Sequence, residues 1–184
     1  YATQIILGKS LAEIGYEFVI PNYFSVKETV FPFSKFANVD TELGPEMKST
    51  GEVMGWGATF EEAYLKSQIA VYTRANFHGA VFIGVLDQDK EAMLPLAKQL
   101  EELGLLILAT SGTYQKFKQG GVNHIEQISM NFEEENNVYL YMIENKLSFV
   151  INTTKPRQRK IDPTHLRRMT LLYNLPYFTT VEGA

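Results

Sequence analysis

The chain has 184 residues, enough for one hydrophobic core, or for one core plus a partial second unit that leans on something else. Its 17 Lys and Arg against 21 Asp and Glu leave a formal charge of −4, so nothing global favours nucleic acid or an anionic membrane as partner, and any basic site must be local. The absence of cysteine excludes a disulfide scaffold, a cysteine-ligated zinc site and a thiol nucleophile, and no run approaches the ~18 uninterrupted apolar residues of a membrane span, so a cytoplasmic setting is expected.

The sequence opens on Tyr1 rather than Met, as an excerpt of a longer chain would. Residues Tyr16 to Phe36 are rich in aromatic and β-branched side chains, but Pro21 and Pro32 break them into short pieces, which predicts strands or extended segments packed on a partner. After the glycine-rich stretch Gly44 to Gly57, Thr59 and Glu62 have capping-box spacing. Phe60, Ala63, Tyr64, Ser67, Ala70 and Val71 then form one face of the helix that this box opens. Tyr72 to Phe77 reads as a linker, dividing the chain into a front unit, 1–74, and a second unit, 75–184.

From Ala80 the pattern alternates between short β-like runs and helix-period stretches, the signature of βαβ units and a parallel α/β sheet. The predicted strands are Ala80 to Leu86, Leu105 to Ala109, Ile125 to Ser129, Ser148 to Ile151 and Pro176 to Thr179. Between the first two, Met93, Leu96, Ala97, Leu100 and Leu103 give a helix an apolar face, with Gly104 as its stop. Pro95 fits only near the start of that helix or in a distorted first turn. Asp162 and Pro163 read as N-cap and first helical position, followed by the apolar face Leu166, Met169 and Tyr173, and Asn174 ends the element.

In such a sheet ligands bind outside the C-terminal strand ends, where loops and helix N-termini converge. Three turns there carry small, hydroxylated or cationic residues: Asp89-Lys90-Glu91, Thr110-Ser111-Gly112-Thr113, and Asn152-Thr153-Thr154 followed by Lys155. Hydroxyl donors, a glycine that lets backbone N–H groups approach, a helix N-terminus and an ammonium group are the parts of a phosphate cradle. No carboxylate projects from the Thr110 or Asn152 turns. Any one Thr or Ser here would ordinarily be a helix cap. Their recurrence at equivalent strand ends, together with Lys90, favours binding. The basic run Lys155, Arg157, Arg159 and Lys160 is either a solvated loop or a second approach to an anion. His78, His124 and His165 have no ligand-like spacing, so no metal site is expected.

The string from Tyr23 to Gly55, with VKE, PFSKF, LGPEM and STGEVMG, closely resembles the end of the second ATP-grasp unit in the large subunit of carbamoyl phosphate synthetases. The remainder, with DKE at 89–91, ATSGT at 109–113, VINTT at 150–154, HLRR at 165–168 and PYFTT at 176–180, resembles the allosteric domain that follows it. The resemblance implies a methylglyoxal-synthase-like parallel sheet with helices on both faces over 75–184, preceded over 1–74 by a partial ATP-grasp tail. It implies a regulatory region of an enzyme that makes carbamoyl phosphate from bicarbonate, ATP and ammonia for arginine and pyrimidine synthesis, the ammonia coming from glutamine through a separate glutaminase subunit. The partners implied are therefore the rest of the large subunit and that small subunit. ATP with Mg or Mn would act elsewhere in the full enzyme, and no cofactor or catalytic residue is expected here. A nucleotide such as UMP or IMP would place its phosphate on Lys90, Thr110, Gly112, Thr113, Asn152, Thr153 and Thr154. An ornithine-type effector would meet Glu28, Tyr177 and Thr179.

The resemblance has gaps. UMP-responsive relatives carry a second phosphate-facing lysine in the third βα region, where this chain has Gln127-Ile128-Ser129-Met130, so a contact worth roughly 1.5–3 kcal/mol is missing and weak binding is expected. The metal-binding Glu and Asn of the ATP-grasp unit would precede residue 1, and a terminal helix would follow PYFTT. A methylglyoxal-synthase-like lyase acting on dihydroxyacetone phosphate is the alternative. It needs a carboxylate base where this chain has Asn152-Thr153-Thr154, which cannot take a carbon-bound proton near neutral pH. A pure oligomerisation module would also fit the aromatic front part.

Overall fold

The computed structural model describes residues 1–33, 45–72, 78–154 and 163–184. The linker beyond Tyr72, with the 74/75 boundary, the cationic run 155–160 and the Asp162 cap lie outside the described residues.

The front part begins with two short helices, α1 (Ala2–Ile6) and α2 (Leu11–Ile14), neither of which buries a residue. Strands β1 (Phe24–Val30) and β2 (Gly51–Gly57) then pair antiparallel, Phe24 opposite Gly57 and Val30 opposite Gly51. Helix α3 (Phe60–Val71) lies on this hairpin at backbone contact. A Cβ added at Gly55 would stand 2.1 Å from the Ala63 carbonyl oxygen and 2.5 Å from the Ser67 nitrogen. The helix start differs slightly from expectation: Thr59 Oγ1 accepts from the Glu62 amide at 3.2 Å, but the Glu62 carboxylate accepts from the Ala58 amide at 2.8 Å, one residue outside a true box. Ala63 and Ser67 are buried on the packed face, whereas Phe60 and Ala70, expected there, are exposed.

The second part is a five-stranded, all-parallel sheet in the order β5-β4-β3-β6-β7. Its strands are β3 (Ala80–Gly84), β4 (Leu106–Ala109), β5 (Ile125–Gln127), β6 (Leu147–Asn152) and β7 (Tyr177–Phe178), mostly shorter than the apolar runs that predict them. Every residue of β3 and β6 is buried, which is why these strands read as largely apolar, with Ser148 and Asn152 the polar members of β6: a parallel sheet is covered on both faces. Val81, Ile83 and Ile107 point to one face, packed with Met93, Ala97 and Leu100 of α4 (Lys90–Glu102) and Phe117 of α5 (Ser111–Gln119). Phe82, Leu108 and Val150 point to the other, against Val138, Tyr139 and Met142 of α6 (Val138–Ile143) and Leu166 of α7 (Pro163–Leu172). The chain leaves central β3 toward β4 and β5, then returns to β6 on the other side, so the sheet has a topological switch point at β3.

Two helix expectations need correction. Helix α4 starts at Lys90, which leaves Pro95 in its interior on the solvent side, where the carbonyl deprived of an N–H partner meets water. Leu103 is the exposed C-cap residue rather than part of the buried face, and Gly104 at φ +83° makes the stop. Helix α6 has no counterpart among the predicted elements; the buried Asn137 side chain starts it by accepting from the Tyr139 and Leu140 amides at 3.0 and 3.2 Å. Among the described residues no helix is long and apolar enough to cross a membrane.

Candidate functional site

The C-terminal ends of β3, β4 and β6 meet at the switch point, and each delivers one of the predicted turns. The β3 end continues through a 3₁₀ turn, Asp87–Asp89, into α4, so Lys90 occupies the first helical position with its side chain 12% exposed. Its ammonium Nζ donates to Asp87 Oδ1 at 2.5 Å and lies against the start of α5, where a Cβ on Gly112 would be only 2.7 Å away. Glycine at 112 is therefore required for Lys90 to stand there.

Thr110 is the N-cap residue of α5, yet its side chain makes no capping bond. Its hydroxyl instead pairs with that of Thr113 at 3.3 Å, and Thr113 Oγ1 accepts a long bond from the Val85 amide at 3.5 Å. The first-turn N–H groups of α5 thus lack the side-chain acceptor that ordinarily terminates a helix, beside an ammonium group. From β6, Thr153 Oγ1 accepts from the Leu86 amide at 3.0 Å and donates to Asp89 Oδ2 at 2.6 Å. Asn152 Oδ1 accepts from the Thr154 amide and hydroxyl at 3.1 and 2.5 Å, while its Nδ2 is buried with no acceptor. The structure thus brings Lys90, Thr110, Gly112, Thr113, Asn152, Thr153 and Thr154 to one end of the sheet, with Val85 and Leu86 as the bridge.

The site also holds groups that sequence reasoning did not assign to it. The Thr110 and Asn152 turns are free of carboxylates, but Asp87 and Asp89 from the β3 end supply two, and these engage Lys90 and Thr153. Outside Lys90 and Gly112 lies an open cavity of about 350 Å³, bordered by Glu91, Gln115, Lys116 and Gln119. The spacing of Gly112, Lys116 and Gln119, i, i+4 and i+7 on one helix face, was the available signal.

The residues expected for a second effector lie apart from this turn cluster, with one exception. Glu28, on β1, accepts from Gln68 Nε2 at 3.2 Å. Burial, and then the Glu28 charge, raise the pKa of Tyr64 and Tyr72 above the ordinary 10.0. Tyr177 turns into the opposite sheet face beside Asn152, with the Arg167 guanidinium 5.6 Å from its ring centre. Its hydroxyl is buried and has no partner at hydrogen-bond geometry, and burial lifts its pKa even though Arg167 and Asn152, both near it, draw it down. Thr179 is exposed. Among the described residues no hydrogen bond or ion pair joins Glu28 to Tyr177 or Thr179. A second cavity of about 490 Å³, largely apolar, separates α3 from the sheet; Gln68, the partner of Glu28, borders it together with Leu105, Phe149 and Phe178. Among the described residues no cluster of three or more His, Asp or Glu could hold a metal.

A family model described as the MGS-like domain matches residues 92–179. The C-terminal section of the carbamoyl phosphate synthase large chain from Aquifex aeolicus (strain VF5) is 42% identical over 199 residues, covering 99% of this chain and 37% of that one. The corresponding section from Methanocaldococcus jannaschii is 38% identical over 194 residues, covering 100% of this chain and 31% of that one. The carbamoyl phosphate synthase large chain of Pasteurella multocida (strain Pm70) is 42% identical over 185 residues, covering 100% of this chain and 17% of that one. The present chain therefore spans between 17% and 37% of the length of these relatives. A methylglyoxal synthase from Elizabethkingia anophelis NUHP1 superposes with a TM-score of 0.44 at 12% identity over 58% of this chain and 74% of that one, too distant to add to the argument. Along its whole length the chain is similar to part of the carbamoyl phosphate synthase large chain, and its residues 92–179 match the MGS-like domain.

Proposed function

We propose that this chain is the allosteric, effector-binding region of a glutamine-dependent carbamoyl phosphate synthase large chain, and that a nucleoside monophosphate of the UMP or IMP kind binds where β3, β4 and β6 end. The observation that carries the reading is the Lys90 ammonium standing over the start of α5, in space that only glycine at 112 leaves open. A phosphate dianion would replace Asp87 as the partner of Lys90 and accept from the first-turn N–H groups of α5. The Thr110 and Thr113 hydroxyls share one long contact of 3.3 Å and can turn to donate. Thr153 and the Asn152 turn would close the other side. The missing lysine at 127–130 points to micromolar or weaker affinity.

On this reading the remainder of the large chain binds ATP with Mg or Mn and carries the chemistry for arginine and pyrimidine supply in the cytoplasm, with ammonia delivered by a glutaminase small subunit. The 184 residues alone turn nothing over. An ornithine-type effector would use Glu28, Tyr177 and Thr179, with its amine on the Glu28 carboxylate.

Calorimetric titration of UMP and IMP into the 184-residue chain and its Lys90→Ala variant tests the phosphate site. Loss of one charge-assisted contact, about 1.5–3 kcal/mol, should weaken binding by roughly one to two powers of ten. Equal affinity in both proteins would remove Lys90 from the site. The alternative, a lyase on dihydroxyacetone phosphate, gains from Asp89, a carboxylate the structure places against Thr153. Because the Asn152-Thr153-Thr154 turn itself carries no carboxylate, no methylglyoxal is expected from the purified chain, and turnover abolished by Asp89→Asn would establish the lyase instead.

A further inference from the structure

We infer that Lys116 is a second cation of this site and that the hollow between it and Lys90 takes a second anionic group of the ligand, as a nucleoside diphosphate would present. The inference rests on the effector-site reading and extends it to which nucleotide is preferred.

Both ammonium groups border the same cavity of about 350 Å³. Lys116 follows Gly112 by one helical turn on α5, so the cavity runs outward along that helix from the point where Lys90 crosses its start. Each lysine is held now by a carboxylate, Lys90 by Asp87 and Lys116 by Glu91. The pairs are lopsided in exposure. The Lys90 side chain is 12% exposed against 90% for Asp87, and Lys116 is 42% exposed against 74% for Glu91. The carboxylate is thus the more exposed partner in each pair, Lys90 being held by its burial and Lys116 half-exposed. Ion pairs this exposed contribute little, so an anion with better geometry displaces them readily. A diphosphate offers two such anions on one short linkage. Gln115 and Gln119 add carboxamide donors along the same wall. Lys116 would thus supply from α5 the second positive charge that the turn 127–130 lacks.

The test is calorimetry in metal-free buffer with UMP and UDP on the 184-residue chain, Lys116→Gln, Glu91→Gln and Lys90→Ala. UDP should bind wild type about tenfold more tightly than UMP, the worth of one added charge-assisted contact. Lys116→Gln should abolish that advantage and leave UMP within about twofold, since Lys116 stands one helical turn beyond Gly112, where Lys90 crosses the start of α5. Glu91→Gln, which releases Lys116, should strengthen UDP by several-fold. Equal UMP and UDP affinities in wild type, or a Lys116→Gln loss shared equally by both nucleotides, would overturn the role of Lys116 while leaving the Lys90 site standing. Absence of binding by either nucleotide to wild type would overturn the effector site and this extension together.

Discussion

A methyl group at position 112 would fall 2.7 Å from Lys90 Nζ, the mobile end of a long side chain, so Gly112→Ala moves the ammonium without breaking the fold. Alanine is the better helix former, and in the first turn of α5 it should stabilise the chain by about 0.5–1 kcal/mol. Nucleotide affinity should fall toward that of Lys90→Ala. Thermal melting paired with calorimetry reads both quantities; a variant that melts higher and still binds UMP at wild-type strength would contradict the placement of Lys90. Nearby, the Asn152 Nδ2 and the Tyr177 hydroxyl are buried with no hydrogen-bond partner among the described residues, a cost of about 1–3 kcal/mol each, whereas the Thr153 hydroxyl both donates and accepts. The hydroxyls and the first cation of the proposed site were legible in the sequence because they fall in short turns between largely apolar runs. Asp87 was not, and Asp89 was legible only as part of the Asp89-Lys90-Glu91 turn, since the aim of both carboxylates depends on a 3₁₀ turn that leaves no periodic trace. Lys116 was hidden because a lysine on a helix ordinarily marks a solvated face.

At the scale of elements, the existence of the strands was legible because buried parallel strands are largely apolar, as β3 is throughout and β6 is apart from Ser148 and Asn152; their order in the sheet was not. Helix α6 escaped because six residues carry less than two periods of pattern and its cap, Asn137, sits at the end of a polar stretch. The front hairpin was ambiguous for a different reason. Its packing depends on close backbone approach rather than on apolar side chains, with Gly55 against Ala63 and Ser67. This makes Gly55→Ala a sharp probe: the clash is with backbone atoms, which cannot rotate away, so α3 must lift from β2. The expected loss is about 3 kcal/mol, at the upper end for overpacking, and it should fall on the front elements. A urea titration following Trp56, the chain's one tryptophan and a residue of β2, should show an earlier transition in the variant. An unchanged midpoint would mean that the helix does not sit on the hairpin as described.

For the molecule as a whole, the distribution of buried residues sets which part opens first. Among the described residues before position 73, only Phe33, Gly55, Gly57, Ala63 and Ser67 are buried, and the large apolar side chains Ile6, Phe18, Ile20, Met54 and Trp56 are exposed. The sheet, in contrast, carries two filled clusters, one on each face, with Phe82, Ile83, Met93, Phe117 and Tyr139 almost fully shielded. Since apolar burial supplies most of the stability of a local unit, β1, β2 and α3 should open well below the free energy needed to unfold β3, β4 and β6. Native-state hydrogen exchange should therefore show protection lower by on the order of a hundredfold in the hairpin and α3 than in the central strands, a gap of about 2.7 kcal/mol. A saturating nucleotide should raise protection at the ends of β3, β4 and β6 and leave the hairpin unchanged, because its contacts lie at the switch point. Where a partner covers this exposed apolar surface, the hairpin should gain protection. Uniform protection across both parts would show that front and sheet form one cooperative unit, and nucleotide-induced protection of the hairpin would show that the effector site and the front are coupled through the cavity beside Gln68.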